Sequence, residues 1–261
     1  MFFCPPYATE PCGLFSVGHL VLFSVTLILI AVGLWLSRTL QERQLRTAIR
    51  AVTALLWAME VAKMLFVLLV LKSRSPNDFL PLYYCSLSLY AGLLSSVGRG
   101  VWQQIGDVFI ATAGIVGGAC FLVFPTTSLP RYPAVHFLSF HSFLLHGLMV
   151  YLGLLLLMRT YVPRMKDLKY CAGLISVMCW IAFAFNLIWN STHPLGPAAN
   201  LMFVSRDFPG TPVSIVYQLT GPLFPLCMWL IQALLPFLGV LGIYRLAVCL
   251  RRKRADRTDK I

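Results

Sequence analysis

Seven runs of mostly apolar residues divide the chain, near 14–36, 51–71, 80–97, 108–124, 137–158, 170–189 and 223–248, and most of its charge lies between them. A helix needs about 20 such residues to cross the hydrocarbon core of a bilayer. No water is available there, so every backbone N–H and C=O must be satisfied within the segment or by closing a barrel. Runs of this length and number point to an all-α, polytopic bundle, integral to the membrane and multi-pass, with seven transmembrane helices as the best count and six or eight as the alternatives. Charged residues make up 11% of the chain and hydrophobic ones 59%, where a soluble domain carries about 25% charged residues. The deficit extends along the whole length. The expected organisation is an extramembrane segment at 1–13, a membrane domain at 14–248 and a basic cytosolic tail at 249–261.

The bases set an orientation. Arg38, Arg43, Arg46 and Arg50 follow the first run; Arg159, Arg164, Lys166 and Lys169 follow the fifth; Arg251, Arg252, Lys253 and Arg254 open the tail. With Arg99, all of these fall on one side if there are seven crossings. The other side receives only Lys72, Arg74, Arg131 and Arg206. The positive-inside rule then places the N-terminus outside or lumenal and the C-terminus in the cytosol. Residues 1–12 hold no Lys or Arg ahead of the first apolar run, so that run is expected to be a retained anchor rather than a cleaved signal. The net charge of +12 is expected to meet anionic lipid headgroups at the cytosolic face. There is no basic and aromatic groove for nucleic acid. The membrane would be an endomembrane or the plasma membrane in a eukaryote, and the inner membrane in a bacterium.

The longest connection, about 190–222, is rich in Pro and Gly and predicts a loop with a partly inserted element. Asn190-Ser191-Thr192 matches the glycosylation sequon, but it lies too close to a span end to be expected in use. Cys4 and Cys12 flank a Pro-rich stretch and could pair in an oxidising lumen. Cys120, Cys171, Cys179 and Cys227 read as small packing residues, and Cys249, beside Arg251, as a palmitoylation candidate. Gly114 and Gly118 predict a close helix contact.

Polar residues inside the runs need a reason. If the third run enters at Leu80 and the fifth at Phe137, both from the lumenal side, Cys85 lies roughly 8 Å and His146 roughly 14 Å deep at the helical rise. The topology permits the two to meet. A thiolate is the reactive form of cysteine, and a neighbouring imidazole takes its proton and returns it to a leaving group. The product is a thioester, suited to moving an acyl chain. A lone cysteine in a span is more often packing, whereas an intramembrane histidine is a functional candidate by default. His136, His141 and His146 are five apart, so successive rings turn by about 140°. They cannot share one helix face, and neither a metal cluster nor a cofactor is expected. His136 and His141 read first as interfacial or packing residues. Glu60 and Lys63, three apart, can pair on one face, either as a self-neutralising pair or to orient and polarise the histidine. Asn186, Asn190 and His193 form a polar stripe at the lumenal end of the sixth run.

Three segments resemble a known family. Leu80-Pro81-Leu82-Tyr83-Tyr84-Cys85 is similar to the Leu-Pro-Leu-His-Leu-Cys element of YwaF-type bacterial membrane proteins. Phe124-Pro125, His136-Phe137 and Phe143-Leu144-Leu145-His146-Gly147 follow their Pro, His-Phe, His-Gly order. Asn200-Leu201-Met202-Phe203 with Asp207-Phe208-Pro209 resembles their Asn-Tyr-Met-Phe-Leu loop. That family is similar to the eukaryotic transmembrane protein 164 group, and the likeness covers most of residues 50–245. It implies a seven-helix fold and lipid acyl transfer, in which an acyl chain passes from a phospholipid through a cysteine to a lysolipid. The cysteine and histidine of those elements fall on Cys85 and His146, and Glu60 and Lys63 resemble an acidic-then-basic pattern in its second helix. Ser86 stands where the eukaryotic group has His, and Tyr84 also departs from the pattern.

The expected function is a membrane-embedded acyltransferase acting on phospholipids or lysophospholipids, with Cys85 as nucleophile and His146 as acid and base. Asn190, Asn200 or a backbone N–H would hold the oxyanion. The alternatives are a lipid ester hydrolase, in which water is the acceptor, a seven-helix receptor and a transporter. The sequence has no Asp-Arg-Tyr after the third run, which weighs against a receptor, and no inverted repeat, which weighs against a transporter.

Overall fold

The computed structural model describes residues 2–258, with side chains through Arg252. Six helical stretches are long and apolar enough to cross a membrane: Val17–Ser37, Glu42–Val70, Val101–Val123, Phe137–Arg159, Met165–Thr192 and Pro212–Arg252. The protein is therefore an integral, multi-pass, all-helical membrane protein. Its helices are α1 (Val17–Ser37), α2 (Glu42–Leu65), α3 (Pro76–Phe79), α4 (Leu87–Val97), α5 (Val101–Phe109), α6 (Ile115–Val123), α7 (Phe137–Arg159), α8 (Leu168–Thr192), α9 (Pro212–Thr220) and α10 (Phe224–Thr258). One π turn, Phe66–Val70, ends α2; another, Ile110–Gly114, joins α5 to α6.

The third expected span is not a full helix. Only Leu87–Val97 is helical, about 16 Å at 1.5 Å per residue, and Leu80–Ser86 is irregular. Pro81 explains the break: it lacks an N–H and pushes the preceding residue out of the helical region, and Leu80 is extended at φ −79°, ψ 126°. The whole segment nevertheless lies antiparallel to α2. Arg50 Nε donates to Ser96 O (2.9 Å), Trp57 Nε1 to Leu89 O (3.1 Å), and Thr53 lies where a Cβ on Gly92 would sit. It is antiparallel to α5 and α6 as well. A Cβ on Gly106 would meet Ser95 and Ala91, one on Gly114 would meet Ser88, and one on Gly117 would meet the Tyr84 ring. Gly118 packs against Val150 and the His146 carbonyl, the close contact its spacing predicts.

One end of the bundle gathers bases. Arg46 makes a two-pronged pair with Asp107 (2.9 and 2.8 Å), which Ser95 Oγ also joins at 2.5 Å. Arg159 donates to the carbonyls of Arg38 and Leu40. Of the expected basic tail, the side chains beyond Arg252 lie outside the described residues.

At the other end, residues 2–13 run as a strap over α7 and the 124–136 loop. Phe137 N–H donates to Phe2 O, Cys12 N–H to Tyr132 O and Gly13 N–H to Leu129 O, each at 3.0 Å. The rings of Phe2 and Phe3 pack on Phe137 and Phe66. The bridge considered between Cys4 and Cys12 is not formed: Cys12 Sγ lies 2.9 Å from Ser16 Oγ, and Cys4 Sγ 3.6 Å from Thr9 Oγ1.

The 193–211 connection turns back along α8, as its Pro and Gly content predicts. Asn190 grips the backbone of Ala199, and Asn186 grips that of Leu201. Ala199, Leu201 and Met202 are fully buried. Met202 and Phe203 both adopt left-handed backbone, at φ 57° and 52°, which costs a side-chain-bearing residue roughly 1–2 kcal/mol. The turn is held from three sides. Met202 N–H donates to Leu82 O (3.1 Å), Gln232 Nε2 donates to Met202 O (2.9 Å), and the Phe203 ring lies 5.1 Å from Tyr83. Irregular backbone at membrane depth survives only inside protein, and these contacts supply that shelter.

Candidate functional site

The packing register places the candidate residues in one layer. On α2, Glu60 and Lys63 sit a turn beyond Trp57, which pairs with Leu89; the antiparallel run then brings them level with residues 84–86. Tyr84 lies on Gly117, and His146 is beside Gly118 on the far side of α6. Cys85, half-buried in the irregular segment, immediately precedes Ser86, the N-cap of α4.

Lys63 supplies a cation to this layer. Its ammonium pairs with Glu60 Oε1 at 2.5 Å, as the three-residue spacing allows. Glu60 is buried, and Lys63 keeps about a fifth of its side chain exposed. Lys63 also lies within electrostatic range of Cys85, His141 and His146. Glu60 reaches Cys85 in the same way.

The histidines divide by what their nitrogens do. A carbonyl oxygen only accepts, so a ring nitrogen bonded to one must carry the proton. His19 donates Nε2–H to Leu122 O, and its Nδ1 accepts from Phe15 N–H. His136 donates Nε2–H to Cys4 O, and its Nδ1 caps α7 by accepting from Leu138 N–H. Both of these rings are fully used by backbone. His146 donates Nδ1–H to Ser142 O at 2.6 Å and stacks on Phe121 with centroids 3.7 Å apart. Among the described residues no hydrogen bond engages its Nε2, so this buried ring presents a lone pair on that atom. His141 donates Nε2–H to Met59 O at 3.1 Å, one residue before Glu60, and its Nδ1 is the unengaged atom.

The structure brings Cys85, Glu60, Lys63, His141 and His146 to one region, but records no hydrogen bond between Cys85 Sγ and His146. Asn190 and Asn200 lie elsewhere, on the re-entrant turn. Asn190 spends its amide on both backbone groups of Ala199, and Asn200 spends its own on Ser205 N–H, Arg206 N–H and Arg206 O. The sequon asparagine is thus held by the fold. Metal-holding groups of three or more His, Cys, Asp or Glu are absent among the described residues.

Three roles escaped sequence reading. Asn77 clamps the re-entrant turn from α3, donating to Ala198 O and accepting from Asn200 N–H. Gln232 anchors the same turn from α10. Tyr84 buries a hydroxyl without a partner beside the site. Asn77 sits in Ser-Pro-Asn-Asp and Gln232 is one amide in a long apolar run; an isolated amide in such a run was the signal available for Gln232.

No curated protein and no solved structure matched the chain in either search. The TMEM164 family matches residues 14–242, a stretch that contains α1 through most of α10 and every residue of the layer around Lys63, and the chain belongs to that family.

Proposed function

We propose that the protein is a lipid acyltransferase working inside the bilayer, with Cys85 as nucleophile and His146 as proton carrier. The observation that carries this reading is the convergence on Lys63: a thiol, a buried imidazole with a free lone pair and a cation from three separate chain segments share one layer.

His146 Nε2 takes the thiol proton, and the sulphur attacks an ester carbonyl of a phospholipid. A C–S bond forms, the C–O bond breaks, and His146 returns the proton to the departing lysolipid oxygen. The hydroxyl of a second lysolipid then attacks the thioester. His146 takes its proton, a new C–O ester bond forms, the C–S bond breaks, and the proton goes back to the released sulphur. Lys63 and the N-terminus of α4 carry the negative charge that develops near Cys85. His141, bonded to Met59 O, holds the α2 turn on which Lys63 stands. Catalytic hydrogen bonds are commonly absent before substrate binds, so the missing Cys85–His146 bond is compatible with this role.

The segment 80–97 makes the seventh crossing in this reading, as irregular, turn-containing chain followed by α4. The basic end, with Arg46, Arg159 and Arg99, faces the cytosol and anionic headgroups, and the strap faces the lumen or exterior. Cys85 then lies in the outer half of the bilayer.

The test is reconstitution with a doubly labelled phospholipid and a lysolipid acceptor. Wild type should move the labelled acyl chain; Cys85→Ala and His146→Ala should each abolish transfer at unchanged expression and melting point. Transfer that survives in either folded variant would sink the reading, and label released as free fatty acid would reassign the acceptor to water.

A further inference from the structure

A cleft of about 260 Å³ opens between α8 and α10. Its walls are Cys179, Trp180 and Phe183 from α8, Pro225, Leu226 and Trp229 from α10, and Val204 from the end of the re-entrant turn. None carries a charge. The mouth is open: Trp180 is 69% and Leu226 50% exposed, on helices that cross the membrane, where the surrounding medium is hydrocarbon. The floor is fixed. Trp229 Nε1–H donates to Ser176 Oγ at 2.9 Å, and Ser176 Oγ–H in turn donates to Ala172 O at 2.6 Å.

Size selects the occupant. A helix about 10 Å across would fill this volume with about 3 Å of its length, so neither a partner helix nor a second copy seats one in it. A single extended hydrocarbon chain fits. The top of the cleft also connects to the layer described above. Val204 follows Phe203, whose ring lies 5.1 Å from Tyr83, and Met202, which bonds Leu82 O. The wall of the cleft and the segment bearing Cys85 are thus two sides of one turn. A chain lying in the cleft has one end at that turn and the other at Trp229.

We propose that this cleft seats one acyl chain of a bilayer phospholipid, and that Trp229 forms its end stop. Calling that phospholipid the substrate rests on the acyl-transfer reading; the binding site does not. The lining is no more apolar than the surrounding lipid, so van der Waals packing against fixed walls gives the cleft its preference for a chain over open bilayer, and the end stop gives it a preferred length.

The test uses the full chain in phosphatidylcholine vesicles in which one acyl chain ends in a diazirine. After irradiation and peptide mapping, label should concentrate on residues 179–183 and 225–229, about tenfold above the outer face of α1 at Ile28 and Trp35. Leu226→Trp, which blocks the mouth without touching the core, should remove that excess, and so should Cys179→Phe if it melts like wild type. Trp229→Ala should shift labelling toward chains several carbons longer. Cys85→Ala should label like wild type. Equal labelling of α1 and the cleft, or labelling indifferent to Leu226→Trp, would overturn the proposal. Cleft labelling in a wild-type protein that transfers no acyl chain would uphold the site and reject the reaction.

Discussion

Met202 and Leu82 are joined through their backbones: the Met202 N–H donates to the Leu82 carbonyl over 3.1 Å. The bond connects the two places where the chain abandons helix inside the bundle, the Leu80–Ser86 stretch that ends in Cys85 and the turn at 199–204. Each supplies what the other lacks, an acceptor from an interrupted span and a donor from a left-handed turn. The position of Cys85 therefore depends on the integrity of a loop far away in sequence.

That dependence is measurable at Asn186. Its amide is fully buried and bonds Leu201 N–H, Leu201 O and Ser205 Oγ. Asn186→Ala leaves both backbone groups of Leu201 without these partners, at about 1–3 kcal/mol for each buried group left unsatisfied. Thermal unfolding in detergent should show the loss. Hydrogen exchange should speed at 199–205 before it does in α7. Unchanged exchange in that turn would mean the clamp is not what holds it.

Helix packing at the basic end makes a second prediction. A Cβ on Gly106 would lie 2.4 Å from Ala91 O and from Ser95 N, both backbone atoms that cannot swing aside. Gly106→Ala must push α4 from α5 and stretch the Arg46–Asp107–Ser95 cluster. The expected cost is at the upper end of, or beyond, the roughly 1–3 kcal/mol typical of overpacking. Gly173→Ala, where a Cβ would meet nothing within 4 Å, is the matched control and should melt as wild type does.

The outline of this fold is legible because membrane burial writes itself in run length. Val17–Ser37 and Phe137–Arg159 lie within three residues of their expected bounds. The third run misled because hydropathy does not distinguish helix from extended chain; Pro81 was the one local sign that Leu80–Ser86 would not coil. At the site, the Glu60–Lys63 spacing told of a pair, but Lys63 coming within electrostatic range of both Cys85 and His146 is a product of how three segments pack, which periodicity along one segment cannot report. The roles of Asn190 and Asn200 likewise depend on where the re-entrant turn lands. A polar stripe on α8 is the same in sequence whether it lines a cavity or grips a loop.

The strap should respond to pH. His136 is fully buried, its Nδ1 holds Leu138 N–H and its Nε2–H holds Cys4 O, with Tyr132 stacked on the ring at 4.2 Å and the Asp78–Arg131 pair on the neighbouring segments. Burial lowers its pKa below 6.5, against the Cys4 carbonyl, which favours the proton. The released strap therefore binds more protons than the docked one as pH falls through and below 6.5, so docking is full above that value and weakens with acidification. A protonated Nδ1 can no longer accept from Leu138. Proteolysis or hydrogen exchange of residues 2–13 should increase from pH 7.5 to 5, and His136→Gln should remove the pH dependence. A strap equally protected across that range would refute the coupling.

Lys63 offers the sharpest test of the layer as a catalytic unit. If its ammonium supports negative charge that develops at Cys85, then Lys63→Met should lower transfer by about 100-fold or more, the scale of losing one such stabilising group. Lys63→Arg should recover part of that loss, because it restores the charge while changing its shape. A purely structural partner of Glu60 behaves differently. Lys63→Met would then leave a buried carboxylate unpaired and destabilise the fold, and the double variant Glu60→Gln, Lys63→Met should restore both stability and activity. Glu60→Gln alone separates the two cases, since it keeps the cation and removes its counter-charge. Retained transfer in Glu60→Gln with none in a stable double variant would identify Lys63 as acting on the reaction. Full activity in a double variant that lacks the cation would assign Lys63 to the fold alone.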